Sequence, residues 1–236
     1  MMIRFQVVTG ILALAFFAAG SVQVYGHSDN STPQAGQFTV GGRIGGVLGF
    51  SESFTDIENL LRPYFSNQDA RISVEPELNF TFALYGNYAI TSRLSVQAEL
   101  NFMFSQGYEL AAPRQQRGSY SFDIGYNSVD IPLLLRFNFL RSRSMFGIMA
   151  GPHISIPIGR LEIYDNREES YFDELSIDSS FTFGLTAGLF GGFRAGPGRV
   201  VGDLRFIFDF DSLQADGMDF VRRRAVALSV GYEISF

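Results

Sequence analysis

The sequence predicts an all-β chain: an eight-stranded antiparallel up-and-down transmembrane β-barrel with long extracellular loops and short periplasmic turns. Three observations support this prediction. Apolar and polar residues alternate with period two in eight segments, the charges of these segments fall on the polar face, and the connections alternate between short and long. A barrel of this kind turns its apolar face to lipid and its polar face to the lumen.

The alternation is clearest in the last segment of the chain. Because successive side chains of a strand point to opposite faces, one face of this segment is wholly apolar. That face consists of Val226, Leu228, Val230, Tyr232, Ile234 and Phe236. Equivalent apolar sets begin upstream at Phe38, Leu78, Leu94, Val129, Phe146, Phe181 and Leu204.

The opposite faces of these segments carry the charges. In a soluble sandwich the charges would meet water, whereas in a membrane barrel the lipid contacts the apolar face and the charges turn inward. The predicted lumen network contains Arg43, Glu75, Glu77, Glu99, Asp130, Arg136, Asp203, Arg205, Asp209 and Glu233. Eight strands leave a lumen that side chains can fill, and buried charges require partners, so a structural network is favoured over a catalytic or ion-conducting lining.

The connections between the segments alternate in length. Short ones cover residues 89–93, 140–144 and 195–198, and long ones cover residues 51–71, 109–127, 159–176 and 211–221. Transmembrane barrels have short periplasmic turns and long extracellular loops. A secreted sandwich or a lipocalin-like barrel, the alternative fold, gives no reason for this regularity.

The first 26 residues have the order of a secretory signal peptide. Arg4 precedes an apolar stretch over residues 7–19, and small residues follow it. The apolar stretch is too short for a membrane-spanning helix, and no basic residues follow it. We therefore expect a signal peptide over residues 1–26, a short N-terminal segment over 27–37 and the barrel over 38–236.

Composition excludes several kinds of protein. The chain has 18 basic residues, all arginine, against 24 acidic ones and a net charge of −6, so a nucleic-acid partner is not expected. It has no cysteine, which rules out disulfides and thiolate chemistry. No spacing of metal ligands is found, and we predict neither a metal site nor a cofactor.

His153 is the one imidazole in the predicted barrel, and Ser155 lies two residues later on the same face. Small barrel enzymes that modify lipid A use a histidine with a serine and a carboxylate. However, serines are expected on any inward face, and the sequence has no nucleophile elbow. We predict that His153 is a core residue and that no residue is catalytic.

Two charged segments lie at the predicted loops. Residues 165–178 hold six carboxylates that could bind divalent cations, but their spacing differs from an EF-hand, so a solvated acidic loop is favoured. Arg222, Arg223 and Arg224 open the last strand near the outer rim. The triplet could contact anionic lipid head groups, or it could simply form the charged base of a loop. The sequence supports both alternatives equally.

Two stretches resemble known outer membrane proteins. Residues 227–236, Ala-Leu-Ser-Val-Gly-Tyr-Glu-Ile-Ser-Phe, resemble the terminal strand recognised by the outer-membrane insertion machinery. Residues 129–136, Val-Asp-Ile-Pro-Leu-Leu-Leu-Arg, resemble a strand of the PorT-like outer membrane β-barrel domain family, and the following Gly-Pro strand is similar as well. The resemblance implies location in the cell outer membrane and an insertion signal at Tyr232, Ile234 and Phe236. OmpX, OmpA and OmpW barrels share this architecture.

The leading functional interpretation is a non-enzymatic, monomeric outer membrane barrel that contacts lipid. Its surface loops would serve envelope integrity or interaction with the host or environment. The alternative is a narrow porin-like channel or conduit for small molecules, hydrophobic ones included. A lipid A-modifying enzyme is the third hypothesis. The sequence identifies no ligand-binding residue.

Overall fold

The computed structural model describes residues 35–50, 73–76, 78–113, 119–139, 144–165 and 170–236. Their strands are β1 (Phe38–Phe50), β2 (Ser73–Pro76), β3 (Leu78–Ala89), β4 (Leu94–Pro113), β5 (Ser119–Asn138), β6 (Ser144–Asp165), β7 (Ser170–Leu175), β8 (Thr182–Ala195), β9 (Gly198–Asp209), β10 (Leu213–Ala215), β11 (Met218–Val221) and β12 (Arg224–Ser235). Within these ranges there is no helix with the length and hydropathy of a membrane span. The predicted signal peptide lies outside the described residues.

Eight of these strands form a closed antiparallel ring in the order β1, β3, β4, β5, β6, β8, β9 and β12. The ring closes where β1 pairs with β12, from Thr39 opposite Ser235 to Phe50 opposite Arg224. The ring belongs to a compact unit of residues 31–235. The predicted eight-stranded barrel is thus confirmed.

The outer face of the ring is apolar. Along β5, for example, Leu133 and Leu135 are half exposed, whereas Leu134 between them is fully buried. Aromatic rings contact one another at both ends of this face: Phe139 with Phe146 near the short turns and Phe208 with Phe210 near the loops. This distribution is that of a lipid-facing band with aromatic girdles.

The short turns lie where the alternation predicts them. β8 and β9, for instance, are joined by only Gly196 and Pro197, and Gly196 has a φ of 62°. The hydroxyl of Tyr232 donates a hydrogen bond of 2.8 Å to the carbonyl of Ala195 at this turn. A Cβ at Gly198 would lie 2.7 Å from the ring of Tyr232, so glycine is required for this close approach.

The boundaries predicted for two of the long loops are wrong, because strands continue into them. β4 and β5 pair up to Pro113 and Ser119, inside the predicted loop over 109–127. β6 runs to Asp165 and pairs with β7 inside the predicted loop over 159–176. In these continued parts Ile124, Leu161 and Ile163 are buried between more exposed neighbours, so apolar side chains pack away from the surface instead of facing lipid. The predicted loop over 51–71 falls outside the described residues.

The fourth predicted loop, over 211–221, also contains structure. β10 and β11 form a hairpin whose turn contains Asp216, with a φ of 47°, and Gly217, with a φ of 73°. The segment after β7 contacts this hairpin, since Ile177 forms a bridge with Ala215. The carboxylate of Asp178 accepts a 2.7 Å hydrogen bond from the backbone N–H of Gly217. These contacts connect the third loop to the fourth.

Candidate functional site: the filled lumen

A balanced group of four charges lies across the middle of the lumen. We call it the central cluster, and it consists of Arg43 on β1, Glu99 on β4, and Asp203 and Arg205 on β9. Arg43 donates two hydrogen bonds to Glu99, of 2.9 and 2.5 Å, and Arg205 donates two more, of 2.8 and 3.0 Å. Glu99 is therefore held by two arginine side chains at once.

Asp203 completes the central cluster. Nε of Arg205 donates to its carboxylate at 2.7 Å, and Arg43 lies 3.4 Å from its other oxygen. Two positive and two negative side chains thus neutralise one another in a water-poor space. Such pairing is needed because an isolated buried charge is costly to desolvate.

Glycines on the neighbouring strands make room for the two arginines. Gly231 is opposite Arg43, and a Cβ at Gly231 would lie 2.7 Å from the Cβ of Arg43. Gly188 is opposite Arg205, and a Cβ there would lie 2.3 Å from the carbonyl oxygen of Leu204. The sequence thus places its smallest residue beside its largest inward side chains.

A second group, the loop-end cluster, lies toward the long loops. It contains Asp130 on β5, His153 on β6, Asp209 on β9, and Arg223, the residue before β12. Nη2 of Arg223 lies 2.9 Å from Asp130 and 3.1 Å from Asp209. Nε2 of His153 lies 2.7 Å from Asp209 and donates to it, because a carboxylate only accepts.

His153 is enclosed on every side that the structure describes, and only 1% of its surface is exposed. The hydroxyl near its Nδ1, at 3.1 Å, is that of Thr186 rather than that of Ser155. Gly184 on β8 lies against the ring, and a Cβ there would be 2.3 Å from Cε1. The placement matches the core role predicted for His153, although its polar partners could not be named from the sequence.

A third group, the turn-end cluster, lies toward the short turns. Arg136 donates a hydrogen bond to Gln97, and its guanidinium stacks 3.9 Å from the ring centroid of Phe190. Glu233 lies 3.8 Å from both Arg136 and Arg199. Arg136 therefore does not contact Glu99 directly, and Gln97, which donates to Glu99, connects them.

Apolar side chains fill the space beside the charges. Near the turns, Tyr85, Leu134, Met145, Met149, Phe190 and Val201 form one buried cluster. Near the loops, Val47, Met103, Ile207, Ala225 and Ala227 form another. A cavity between the central and loop-end clusters has a volume of only about 10 Å³. A space of that size holds roughly one water molecule.

Of the ten residues predicted for the lumen network, the structure places eight inside the barrel. They are Arg43, Glu99, Asp130, Arg136, Asp203, Arg205, Asp209 and Glu233. Glu75 lies in β2, but its side chain is not described, and Glu77 falls outside the described residues.

Two further residues, Arg223 and Gln97, take part in the lumen network. The rim position predicted for Arg223 is wrong, because Arg223 is 2% exposed and forms two ion pairs inside the barrel. Gln97 has the parity of the inward Glu99, but the sequence does not indicate that it connects two charged residues. The inward-facing residues of β12 have odd numbers. Arg223 shares this parity, which indicates that its side chain faces the lumen.

The arrangement of the lumen is suited to holding side chains in place. Its carboxylates accept hydrogen bonds from arginine, histidine or hydroxyl groups of the barrel itself. In the part of the chain that the structure describes, no three His, Asp or Glu side chains are grouped to hold a metal ion.

A profile of the outer membrane protein β-barrel domain matches residues 29–215, most of the chain. The chain belongs to this family. It is accordingly a protein of the cell outer membrane, with lipid around its apolar face. The match supports the broad resemblance seen in the sequence but not the narrower PorT-like assignment.

Among solved structures, the outer membrane protein OprG from Pseudomonas aeruginosa has a TM-score of 0.53 at 13% identity, covering 88% of this chain and 99% of OprG. Neisserial surface protein A has a TM-score of 0.49 at 12% identity, over 85% and 99% of the two chains. Ail, the attachment invasion locus protein of Yersinia pestis, has a TM-score of 0.43 at 9% identity, over 86% and 100%. The likeness to OprG shows a shared barrel fold. Comparison with curated proteins gives no match.

Proposed function

We propose that this protein is a non-enzymatic outer membrane barrel with a closed lumen, which acts through its surface loops in envelope integrity or in contact with the host or environment. The observation that carries the proposal is the central cluster. Glu99 is locked between Arg43 and Arg205 where a conducting barrel would need open space. Function is therefore assigned to the outer surfaces.

The height of the barrel wall supports this assignment. β4, β5 and β6 have 20, 20 and 22 residues, whereas β1, β3, β9 and β12 have 12 or 13. About 9–11 residues suffice for a strand to cross the membrane. The excess lies at the loop ends of β4, β5 and β6 and raises a paired sheet above the outer leaflet. An ordered sheet there offers a surface for external contacts.

A narrow conduit for small molecules is the alternative, and solute flux separates it from the closed barrel. Liposomes that contain the purified protein should swell in isotonic small sugars no faster than empty liposomes. Swelling that rises with the amount of protein would favour the conduit. Hydrophobic solutes are tested in the same vesicles. A fluorescent apolar probe is added outside, and an acceptor enclosed in the vesicle binds the probe that enters.

The enzyme hypothesis requires a group that reaches lipid. Asp209 and Thr186 are each hydrogen-bonded to His153, but all three side chains are buried inside the barrel. A lipid substrate on the outside has no described path to them. Mass spectrometry of lipid A from cells with and without the protein should show the same species, and a new or missing acyl chain would refute the non-enzymatic assignment.

We also propose that the protein is monomeric and that the insertion machinery recognises the end of β12 through Tyr232, Ile234 and Phe236. The closed ring supports a monomer, since it leaves no unpaired barrel edge for a second copy. Light scattering of the purified protein tests the monomer. Replacing Phe236 by Asp should lower the amount inserted in cells more than the stability of refolded protein.

A further inference from the structure

Two arginines, Arg224 at the start of β12 and Arg222 just before it, lie at the loop-side end of this strand. Exposure alternates along the triplet: Arg222 is exposed, Arg223 is buried and Arg224 is half exposed. Arg224 therefore shares its face with the exposed Leu228 and Val230, which form part of the lipid-facing surface. Positive charge is thus placed at the upper edge of the apolar band.

Aromatic rings flank Arg224 on both neighbouring strands. It is opposite Phe50 on β1 and opposite Phe208 on β9, and both phenylalanines are exposed. The guanidinium carbon of Arg224 lies 4.9 Å from the ring centroid of Phe208. Aromatic residues mark the level of the membrane interface, where a charge on the outer face costs much less than at the midplane.

We propose that Arg222 and Arg224 bind the phosphate of an anionic lipid in the outer leaflet. A guanidinium matches the oxygens of a phosphate with two parallel N–H donors, and the ring of Phe208 lies close to the guanidinium of Arg224. The long, flexible side chains can reach from the apolar band to the head-group level. Because extracellular loops follow this end of the barrel, the leaflet concerned is the outer one.

The proposal concerns the outer wall and is independent of whether the lumen conducts. It commits to a lipid phosphate because the two arginines adjoin the lipid-facing surface. An aqueous phosphate ion would gain the charge contact alone. A phosphorylated lipid would gain that contact together with apolar contact against Phe50, Phe208 and Leu228.

The test measures lipid binding by the detergent-purified full chain with native mass spectrometry. The probes are diphosphorylated lipid A and the same lipid without phosphates. Each basic residue near a membrane surface contributes about fivefold in affinity, so the Arg222→Gln/Arg224→Gln double variant should bind roughly 25-fold more weakly. Arg93→Gln is the matched control, because Arg93 is an exposed arginine in the turn at the opposite rim.

The proposal predicts that diphosphorylated lipid A binds the wild type and Arg93→Gln equally, and that the dephosphorylated lipid binds both weakly. Equal affinity of the double variant and the wild type would overturn it, as would an equal loss in Arg93→Gln. Full displacement of the lipid by excess inorganic phosphate would assign the site to free phosphate and overturn the lipid assignment. Folding is checked by gel electrophoresis, in which the heated protein migrates more slowly than the folded barrel. If the double variant does not fold, the Arg222→Gln single variant is tested instead.

Discussion

Arg43 and Glu99 are joined by two parallel hydrogen bonds across the lumen, although they lie on different strands and 56 positions apart in the sequence. Both side chains are almost fully buried, with exposed fractions of 4% and 0%. Because Glu99 also accepts two hydrogen bonds from Arg205, the three residues connect β1, β4 and β9 across the interior. The closed lumen depends on this connection.

Removing the charge of Glu99 should destabilise the barrel strongly. Glu99→Gln leaves Arg43 and Arg205 buried with Asp203 as their remaining carboxylate, and loss of one partner from a buried network costs about 3–5 kcal/mol. The measurement is urea unfolding in lipid vesicles, followed by tyrosine fluorescence because the chain has no tryptophan. Asp211→Asn, at an exposed position, is the control and should change stability by less than about 0.5 kcal/mol. Equal stability of the two variants would contradict the pairing of Glu99 with Arg43 and Arg205 in the central cluster.

The two inward arginines Arg205 and Arg136 should differ in their effect on stability. Arg205→Ala removes four close hydrogen bonds to carboxylates, so we expect a loss of about 3–5 kcal/mol. Arg136→Ala should cost roughly 2 kcal/mol, because Arg136 lies 3.8 Å from Glu233 and mainly contacts Gln97 and Phe190. The same unfolding assay gives the order, and a larger loss in Arg136→Ala would show that the turn-end cluster is the stronger one.

Two glycines of β8 provide a matched pair. A Cβ at Gly184 would lie 2.5 Å from Nε2 of His153 and 2.4 Å from the carbonyl oxygen of Phe208, so Gly184→Ala should cost about 1–3 kcal/mol by overpacking. A Cβ at Gly191 would meet nothing closer than 3.5 Å, so Gly191→Ala should be tolerated. Refolding yield and urea midpoint compare the two. Equal behaviour would mean that His153 is not confined against β8.

The contact between the third and fourth loops should be separable from the barrel. Asp178→Ala removes the hydrogen bond to the N–H of Gly217, which should loosen the β10–β11 hairpin by about 1 kcal/mol. Hydrogen exchange should then become faster at residues 213–221 while β9 and β12 stay protected. Unchanged exchange in the hairpin would show that the contact does not hold the loops together.

The fold could be predicted because alternation is a local property of each strand. Val226 to Phe236 shows its two faces without knowledge of any neighbour, and the contrast of apolar and charged faces indicates lipid outside. The extension of β5 does alternate, but its apolar residues Ile124 and Tyr126 are buried and have the parity of the inward Asp130, which is the reverse of the lipid-facing pattern. A search for apolar residues on the lipid-facing parity therefore ends before these extensions begin.

The partners within the lumen could be predicted only as a set. Parity places Arg43, Glu99 and Arg205 inside, but which charges meet depends on the register and the relative heights of distant strands. Gln97 is hydrogen-bonded to both Arg136 and Glu99, yet the sequence does not indicate which charged residues an inward glutamine contacts. Arg223 follows the same parity, but it lies within a run of three arginines, which is typical of a charged rim.

The most direct test of the closed lumen is single-channel recording of the purified wild-type protein in a planar bilayer. The filled interior, with Glu99 held by Arg43 and Arg205, predicts no resolvable current steps at high salt. Reproducible openings of the wild type, with an ion preference that changes in Glu99→Gln, would contradict the closed barrel and show that the lumen conducts.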